Sequence, residues 1–573
     1  MARPWTVLAP DPDVVRLLSS AHALREETAK ILVNRGVRDA AAAERFLEPR
    51  LADLRPPTGM AGFERAVLRI EEALLSGEVI GVFGDYDVDG ATTAALLTSF
   101  LRGVGARRVE PRVASRHRGY GFGPADAAWF REVGCSLIIT CDCGTSDAPS
   151  IELANATGID VLVVDHHQVP DGPSPAYAMI NPHQPGCAFP FKGLASVGVG
   201  FYLAAALRTR LRARGHSIEP GSDAADPRRL LDLVAVGTVA DQAPLRDENR
   251  ILVQHGLRQL SRAARPGLRA LADLCGLDPA LGRSETDIAF KLAPRLNAPG
   301  RLGDARPSLE LLLAGDQASA CRLATELDGA NRARQEVEAG VLEAALAAAD
   351  AQPSAPVLVV AGQGWHPGVL GIVAAKLVDR HARPAVVIGL EGGEGRGSAR
   401  SFGGFHLVEG MRRCAEHLVR FGGHAQAAGL TVRADRVAAL ADGLCQVARE
   451  GALGPEAALL ADAEIVLGRV DEGLAAELGR LRPFGAGNAE PVLVTRARTL
   501  SSRVVGKDHL RMLLQCASDR LGAAREAIAF RLAARDPGPN AAVDLAFVPE
   551  IDHFRGTPRL QLRVRDLRPG AAF

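Results

Sequence analysis

Short apolar runs alternate with amphipathic helical patterns from about residue 62 onward. The runs are VIGVF (79–83), the segment at 109–113, LIITC (137–141) and VLVV (161–164), and the helical patterns follow residues 90, 124 and 147. Strands of a parallel sheet form continuous apolar runs of this kind because helices cover both faces of the sheet. The pattern therefore predicts an α/β domain built on a parallel sheet, followed by a mostly helical stretch over residues 190–280.

The rest of the chain shows further patterns. Helical stretches before residue 60 end in the turn-rich RPPTG, and an alanine-rich helical pattern covers 305–350. Apolar runs at 356–362 and 384–390 indicate a second α/β unit, and short alternating strands beyond residue 462 indicate a small β-barrel. We predict these domains in chain order: an N-terminal helical segment (1–60), a parallel-sheet domain (61–304), a connecting helix (305–352), a second α/β domain (353–460) and a β-barrel (461–573).

Acidic residues and histidines directly follow three of the apolar runs, and a further apolar run, LVAVGTVA, ends in another acid. The residues at these endings are Asp85, Asp87 and Asp89 in GDYDVDG, Asp142 after LIITC, Asp165, His166 and His167 after VLVV, and Asp241 after LVAVGTVA. The carboxyl ends of parallel strands meet at one edge of a sheet, where function collects. We therefore predict that all four runs belong to one sheet and that these side chains converge.

Carboxylates crowded this closely repel one another unless cations neutralise them. Several carboxylates with one or two imidazoles form a mixed oxygen and nitrogen ligand set that suits manganese or a similar divalent ion. Such a site can hold two ions about 4 Å apart on either side of a scissile phosphate. Taken one at a time, the motifs are also compatible with a calcium-like loop, helix caps and a structural histidine pair.

Charge and composition narrow the class of protein only modestly. The net charge is zero, and only five of the 67 basic residues are lysines, so guanidinium groups would make any phosphate contacts. Residues 492–573 hold 14 Lys and Arg against 8 Asp and Glu. This local surplus is a modest indication of nucleic-acid binding by the barrel, although a solvated basic face explains the charge equally well.

The cysteines and the apolar runs indicate a cytoplasmic protein without a membrane segment. Nine cysteines are scattered without a CxxC pair, which predicts reduced thiols rather than a zinc knuckle. The N-terminal sequence MARPWTVLAPDPDVV has no apolar core of signal-peptide length. No uninterrupted apolar run reaches the roughly 18 residues that are needed to cross a bilayer.

In their order along the chain, GDYDVDG, Asp142, DHH and VADQAPL resemble the four metal motifs of the DHH phosphoesterases. The resemblance implies two bound Mn²⁺ ions, with Mg²⁺ as the alternative, held by Asp85, Asp87, Asp142, His166 and Asp241. It implies that Asp142 bridges the ions, that His167 faces the substrate phosphate and that Asp165 orients a histidine from behind. Asp89 belongs to the motif, but direct ligation by this residue is left open.

Within that superfamily, nearly the whole chain resembles the RecJ family of single-strand-specific 5′→3′ exonucleases. The motifs that carry this resemblance are RLNAPGRL (295–302), WHPGVLGIVAAKL (365–377), GSARSF (397–402), FGGHAQAAGL (421–430) and PFGAGNAEPVL (483–492). The resemblance implies a DHH domain and a substrate-binding DHHA1 domain joined by a long helix, and an oligonucleotide-binding (OB) barrel. The implied reaction is metal-dependent release of 5′-mononucleotides from single-stranded DNA, in DNA repair and recombination.

The same resemblance assigns substrate contacts and partners. It places Arg116, Ser398 and Arg400 at the 5′-phosphate, makes Arg295, Asn297 and Arg301 available for phosphates or for bracing the site, and gives His424 as a further donor. Phe530, Phe547 and Phe554 are the barrel's candidates for stacking on bases. A RecQ-type helicase and a single-strand-binding protein are the implied partners of a monomeric enzyme.

Three other functions remain open at this point. A DHH enzyme that hydrolyses cyclic dinucleotides or very short RNA is the nearest, although those relatives are usually shorter and lack the barrel. A non-catalytic nucleic-acid-binding scaffold is the second, and the intact set of acids argues against it. A pyrophosphatase is the third, and GGHAQAAG and the barrel argue against it because both suit a polymer.

Overall fold

The computed structural model describes residues 3–116, 119–216, 225–451, 458–516, 524–552 and 558–570. The chain divides into two compact units, one formed by residues 1–54 with 457–573 and the other by residues 55–456. The first unit therefore combines the two ends of the sequence. Its N-terminal elements are β1 (Trp5–Val7), α1 (Pro12–His22), α2 (Glu26–Asn34) and α3 (Ala40–Leu47).

A parallel five-stranded sheet, with the strand order β3-β2-β4-β5-β6, opens the larger unit. Its elements are α4 (Phe63–Ser76), β2 (Val79–Gly84), α5 (Val88–Gly103), β3 (Arg108–Val113), α6 (Pro124–Glu132), β4 (Leu137–Cys141), α7 (Ala148–Asn155), β5 (Asp160–Val164) and β6 (Ala178–Ile180). Strand β2 lies between β3 and β4, so the connections after β2 and β3 lead to opposite sides of it. Such a switch point opens a crevice at the carboxyl ends of the strands.

Helices follow this sheet as predicted for residues 190–280. They are α8 (Ser196–Ala213), α9 (Leu231–Ala240), α10 (Asp247–Ser261), α11 (Pro266–Leu274), α12 (Glu285–Asp287), a π-helical turn (Ile288–Leu292), α13 (Ala293–Leu302), α14 (Arg306–Leu313) and the long α15 (Gln317–Asp350). The N-terminal half of α15 packs on α11 and α13. Its C-terminal half packs through Val341 and Ala345 into the core of the second sheet.

One sequence prediction fails in this helical region. The run that leads to Asp241 is helix α9 rather than a strand, while RLNAPGRL lies in helix α13. Nine of the ten residues of α9 are buried, so its sequence has no polar face and no period that distinguishes a helix from a buried strand. Gly256 of α10 lets the two helices meet, because a Cβ there would lie 2.2 Å from the Leu231 oxygen.

The second sheet of the larger unit is mixed, with the order β10-β11-β9-β8-β7, and only β7 and β8 are parallel. Its elements are β7 (Leu358–Gln363), α16 (Pro367–His381), β8 (Ala385–Glu391), β9 (Glu394–Arg400), α17 (Leu407–Arg413), β10 (Leu418–Gly423), β11 (Ala427–Arg433) and α18 (Val437–Glu450). This is the second α/β domain that the sequence predicts.

The C-terminal part of the chain forms the predicted barrel. Its elements are β12 (Leu459–Ala461), β13 (Ala463–Glu464), α19 (Glu472–Gly479), β14 (Leu493–Val505), β15 (His509–Cys516), β16 (Arg525–Ala529), β17 (Ala542–Asp552) and β18 (Arg559–Pro569). Pairing of β14 with β17 closes a ring of five strands. Ile31 and Leu32 of α2 share one hydrophobic core with barrel residues such as Leu545, and this core joins the two ends of the sequence in one unit.

One aromatic residue proposed to stack on bases is placed where it cannot do so. Phe547 has no exposed surface and lies in the barrel core, because the inward face of β17 is apolar. Phe530 is 51% exposed, and Phe554 lies outside the described residues. Part of the barrel's basic surplus is neutralised locally, since Arg563 is ion-paired with Glu490 and Glu550.

All nine cysteines are free thiols. Among the described helices, none combines the length and the apolar character needed to cross a membrane.

Candidate active site

Three acids extend the parallel sheet by one residue at its carboxyl edge. The backbone amide of Asp85 donates to Cys141, that of Asp142 to Val164, and that of Asp165 to Ile180, at 2.9–3.1 Å. Because β2, β4 and β5 are neighbours, their terminal acids are brought to the same edge. Asp142 has a φ of +62°, a left-handed conformation that a non-glycine residue adopts at a cost of about 1 kcal/mol. Strain of this kind is typical of functional sites.

The two other acids of GDYDVDG belong to the start of helix α5. Asp87 caps the helix by accepting a hydrogen bond from the Gly90 amide at 3.0 Å. Asp89 is wholly buried and accepts from the Ser196 and Val197 amides at the start of α8, at 2.8 and 3.0 Å. The alternating acids therefore serve both the site and the packing of two helices.

His166 lies at the centre of the acidic cluster. Its Nε2 is 3.2 Å from Oδ1 of Asp142, 3.8 Å from Oδ2 of Asp241 and 3.9 Å from Oδ2 of Asp89. Asp241 reaches the cluster from the C-terminal end of α9. The sequence thus predicted the convergence of Asp241 correctly but assigned it to the wrong kind of element.

The potential ligand atoms fall into three overlapping groups, within each of which all atoms lie within 4.8 Å of one another. The groups are Asp85 with Asp87 and Asp142, Asp142 with His166 and His167, and Asp89 with His166 and Asp241. Asp142 and His166 each belong to two groups, so adjacent cation positions would share them. All five residues that the motifs indicate as ligands are brought together.

The electrostatics of the cluster fit divalent cations. Neither carboxylate oxygen of Asp85 accepts a well-aligned hydrogen bond among the described residues, and Nε2 of His166 makes none although it lies 3.2 Å from Oδ1 of Asp142. Burial, and then the neighbouring Asp87 carboxylate, raise the pKa of Asp85 and of Asp142 well above the usual range. Burial and a neighbouring carboxylate also raise the pKa of both Asp89 and Asp241 to about 7. Buried carboxylates that repel one another are an environment that cations stabilise.

Asp165 holds the second histidine of the DHH motif. Its Oδ1 accepts from the Nδ1 of His167 at 2.7 Å and from the backbone amides of His166 and His167. Burial acts to raise the pKa of Asp165, but the hydrogen bond and charge of His167 outweigh it, and the pKa is lowered. Burial lowers the pKa of His167, and the bond to Asp165 more than reverses this, raising it to about 9.

Several residues around the cluster were missed by the sequence reasoning. The Asn181 side chain donates to the His167 backbone oxygen at 2.8 Å and to Oγ1 of Thr145 at 3.1 Å. Ser196 donates its hydroxyl to Oδ1 of Asp142 at 3.1 Å. Asn181 follows the short apolar run AMI of β6, so the same signal of a polar residue at a strand end could have identified it. No local pattern distinguishes Ser196, which begins a helix.

An arginine cluster lies beside the acids. Nε of Arg116 donates to the Gly300 oxygen at 2.8 Å, and its guanidinium carbon lies 4.2 Å from the ring centre of Tyr86. Arg301 donates to the Gly368 oxygen at 3.2 Å. Burial, and then the nearby charges of Arg116, Arg334 and Arg400, lower the pKa of Arg301 to about 10. A buried cation whose pKa is lowered by neighbouring cations lies in an environment that an anion stabilises.

Ser398 and Arg400 contribute to this cluster from the second sheet. They lie on one face of β9, and Nη1 of Arg400 donates to Oγ of Ser398 at 3.2 Å. Gly371 of α16 leaves room for both, since a Cβ there would lie 2.9 Å from Nη2 of Arg400 and 3.1 Å from Oγ of Ser398. The residues assigned to the terminal phosphate thus approach from two different sheets.

The remaining candidate residues are less closely tied to the site. Arg295 is ion-paired with Asp328 at 2.9 Å, which favours a bracing role over phosphate contact. Asn297 is half-buried in α13. His424 is exposed at the turn between β10 and β11, where its Nδ1 accepts from the Gln426 amide at 3.3 Å.

Family models match three successive parts of the chain. The DHH family, N-terminal domain, matches residues 79–238, the DHHA1 domain matches 354–450 and the RecJ OB domain matches 461–566. These matches coincide with the parallel sheet, the mixed sheet and the barrel, and they confirm the predicted fold class.

Relatives are similar over almost the whole chain. The single-stranded-DNA-specific exonuclease RecJ of Dickeya dadantii is 37% identical over 557 residues, which are 94% of this chain and 95% of the relative. The protein of the same name from Bacillus subtilis is 36% identical over 575 residues, or 98% of this chain and 70% of the relative. A crystal structure of RecJ from Thermus thermophilus in complex with Mn²⁺ is 30% identical, with a TM-score of 0.82, and the match covers 99% of this chain and 80% of that one. This chain therefore belongs to the RecJ family of DHH-domain proteins.

Proposed function

We propose that this protein is a metal-dependent exonuclease that hydrolyses single-stranded DNA from the 5′ end and releases 5′-mononucleotides. The observation that carries the proposal is the meeting of two clusters. Five metal-binding side chains, Asp85, Asp87, Asp142, His166 and Asp241, converge beside a group of arginines whose charges help to lower the pKa of Arg301. The acidic cluster suits cations and the arginine cluster suits phosphate. Metal-dependent hydrolysis of a phosphodiester at the end of a strand uses both.

We further propose that the acids hold two ions and that Mn²⁺ is the preferred metal, with Mg²⁺ as the alternative. Carboxylates with one imidazole suit manganese, and the sharing of Asp142 between two ligand groups supports a pair of ions. When bound, such a pair supplies a Lewis acid that neutralises charge on the scissile phosphate and activates water. RecJ from Thermus thermophilus has been crystallised with Mn²⁺ and with Mg²⁺.

The chain's own residues orient the substrate. His167, whose side chain is 46% exposed at the edge of the cluster, is placed to contact the phosphate while Asp165 holds its Nδ1. Arg116, Arg301, Ser398 and Arg400 form a pocket for the terminal 5′-phosphate. A pocket that captures the end of a strand fixes both the polarity of digestion and the bond that is cut. Arg295 braces α13 through Asp328.

The proposed substrate is single-stranded DNA in repair and recombination, as the names of the relatives indicate. The OB barrel would bind the strand through basic and aromatic side chains, with Phe530 as the exposed aromatic candidate. We propose that the protein acts as a monomer, and that a RecQ-type helicase and a single-strand-binding protein supply the strand.

Digestion of single-stranded DNA labelled at either end tests this function. With Mn²⁺, 5′-labelled DNA should yield labelled mononucleotide at once, while 3′-labelled DNA should shorten gradually. A chelator should stop both reactions, and duplex DNA and a dinucleotide should be poor substrates. If the folded protein leaves 5′-labelled DNA intact in Mn²⁺, or digests the dinucleotide faster, the exonuclease proposal is wrong.

Arg400→Ala tests the phosphate pocket. A charge-assisted hydrogen bond contributes about 1.5–3 kcal/mol, so the variant should raise KM for 5′-phosphorylated DNA by roughly 10- to 100-fold. The effect on 5′-hydroxyl DNA should be much smaller, because the lost contact is to the phosphate. Arg433→Ala is the matched control, since Arg433 is exposed on the same sheet and paired with Asp435. Equal losses with both kinds of end would remove Arg400 from the pocket.

A further inference from the structure

Tyr120 stands over the acidic cluster on a short loop that is built to present it. Gly119 and Gly121 on either side have φ values of +107° and +85°. The next residue, Phe122, is buried and packs edge-on against Phe83 at 5.3 Å. Oδ2 of Asp147 accepts from the Phe122 amide at 2.8 Å, and a Cβ at Gly121 would lie 2.6 Å from that carboxylate. The loop is therefore anchored on its far side, and only a glycine fits next to the tyrosine.

The Tyr120 hydroxyl is directed at the metal-binding residues. It donates to the backbone oxygen of Asp142 at 3.2 Å and lies 3.4 Å from Nδ1 and 3.2 Å from Nε2 of His167. Nδ1 of His167 is already bonded to Asp165 at 2.7 Å. A ring held through one nitrogen can pivot about that bond. Because the hydroxyl packs beside both ring nitrogens, it restricts that rotation.

The ring of Tyr120 connects the two halves of the site. Its centre lies 5.8 Å from the His167 ring and 6.1 Å from the Tyr86 ring, with edge-to-face geometry at both contacts. The guanidinium of Arg116 lies over the Tyr86 ring, 4.2 Å from its centre. Although it packs between these groups, Tyr120 is 54% exposed, and exposed aromatic rings at a site are well suited to nucleotides.

We propose that Tyr120 is a positioning residue for the nuclease reaction and a wall for the terminal nucleotide. Its hydroxyl holds the His167 imidazole in the orientation that faces the phosphate. Its exposed ring lies between the cation-binding acids and the phosphate-binding arginines, where the sugar and base of the end residue belong. This assignment rests on the proposed exonuclease function.

Two substitutions separate the contribution of the Tyr120 hydroxyl from that of its ring. Tyr120→Phe removes only the hydroxyl, and kcat should fall by about tenfold with KM unchanged, the size expected for the loss of one hydrogen bond. Tyr120→Ala also removes the ring, and KM should rise by a further factor of about 10, the size expected for the loss of one stacking contact. Tyr177→Phe is the matched control, because that ring lies under Arg65 elsewhere in the same domain.

A double-mutant cycle shows whether the hydroxyl acts through His167. In single-turnover assays, Tyr120→Phe should cost nothing further in a His167→Ala background, since the group it positions is gone. The stabilisation by Mn²⁺ of the folded protein should be the same in wild type and Tyr120→Phe. Independent, multiplying losses in the cycle, or a weakened Mn²⁺ effect in Tyr120→Phe, would overturn the assignment.

Different results would contradict the proposed nuclease function and the proposed role of Tyr120. A folded wild-type protein without nuclease activity contradicts the proposed function itself. An active wild type whose Tyr120→Phe variant keeps the full kcat contradicts only the role of Tyr120.

Discussion

Asp142→Asn is expected to lower the rate of single-stranded DNA hydrolysis by about 10⁴-fold, equivalent to about 5 kcal/mol of transition-state stabilisation. Asp142 belongs to two of the three ligand groups, and its Oδ1 is 3.2 Å from Nε2 of His166. Asp142→Asn replaces one carboxylate oxygen by an amide nitrogen and removes the negative charge, and it should therefore weaken two adjacent cation positions together. Substitution of a residue that belongs to only one ligand group should lower the rate of hydrolysis less.

The rate is measured with end-labelled DNA under single-turnover conditions in Mn²⁺. Asp160→Asn is the matched control, because Asp160 lies on the same sheet but at the opposite end of β5, where it is bonded to Arg69 at 2.6 Å. That variant should lose stability while each folded molecule keeps its activity. Retention of more than a small part of the rate in Asp142→Asn would refute the bridging role.

Asp142→Asn should also stabilise the metal-free protein. Burial and the neighbouring carboxylates raise the pKa of Asp142, so its charge opposes folding when no cation is present. Removal of that charge should raise Tm in chelator, while the gain in Tm on adding Mn²⁺ should shrink. A protein that loses activity yet becomes more stable without metal has lost a ligand rather than its fold.

Stabilisation by Mn²⁺ should increase as the pH rises from about 5.5 to about 8. Burial and neighbouring carboxylates raise the pKa of Asp89 and Asp241 to about 7 in the folded protein, from 3.8. Between these values the folded state holds protons that the unfolded state has lost. The contribution of both groups to the stability of the metal-free protein therefore falls with rising pH through this window.

Cation binding has the opposite dependence, because the carboxylates must release their protons to bind. At a Mn²⁺ concentration of about 100 Kd, each independent ion should stabilise the folded protein by about 2.7 kcal/mol. Calorimetry at the two pH values, with Mn²⁺ and with chelator, measures the difference. Asp241→Asn should flatten the pH dependence. A Mn²⁺ effect that is equal at both pH values would show that Asp241 does not bind the metal.

Much of the site could be predicted from the sequence because strand ends carry local signals. Buried parallel strands are apolar on both faces, so GDYDVDG, Asp142 and DHH stand out as polar breaks after apolar runs. Parallel pairing then forces their convergence, as the amide contacts from Asp85 to β4 and from Asp142 to β5 show. The order of the motifs identified the family, which the comparisons confirm.

Other features could not be predicted because they depend on contacts between distant segments. The run before Asp241 is buried on every side, and burial removes the period that separates a helix from a strand. Phe547 is a stacking candidate from the sequence, but it lies in the barrel core with no exposed surface. Tyr120 is inconspicuous in GYGFG, and only the fold sets it against His167 and Asp142.

The sequence by itself determined most of the elements, their order and the residue types at the strand ends, because these follow from hydrophobic period and residue type over a few positions. The tertiary structure alone decided which potential ligand side chains lie within reach of one another, which arginines are ion-paired and which cluster beside the acids. It also decided that the helices before residue 55 complete the barrel unit. Those outcomes depend on which distant surfaces pack together, and no local pattern records that choice.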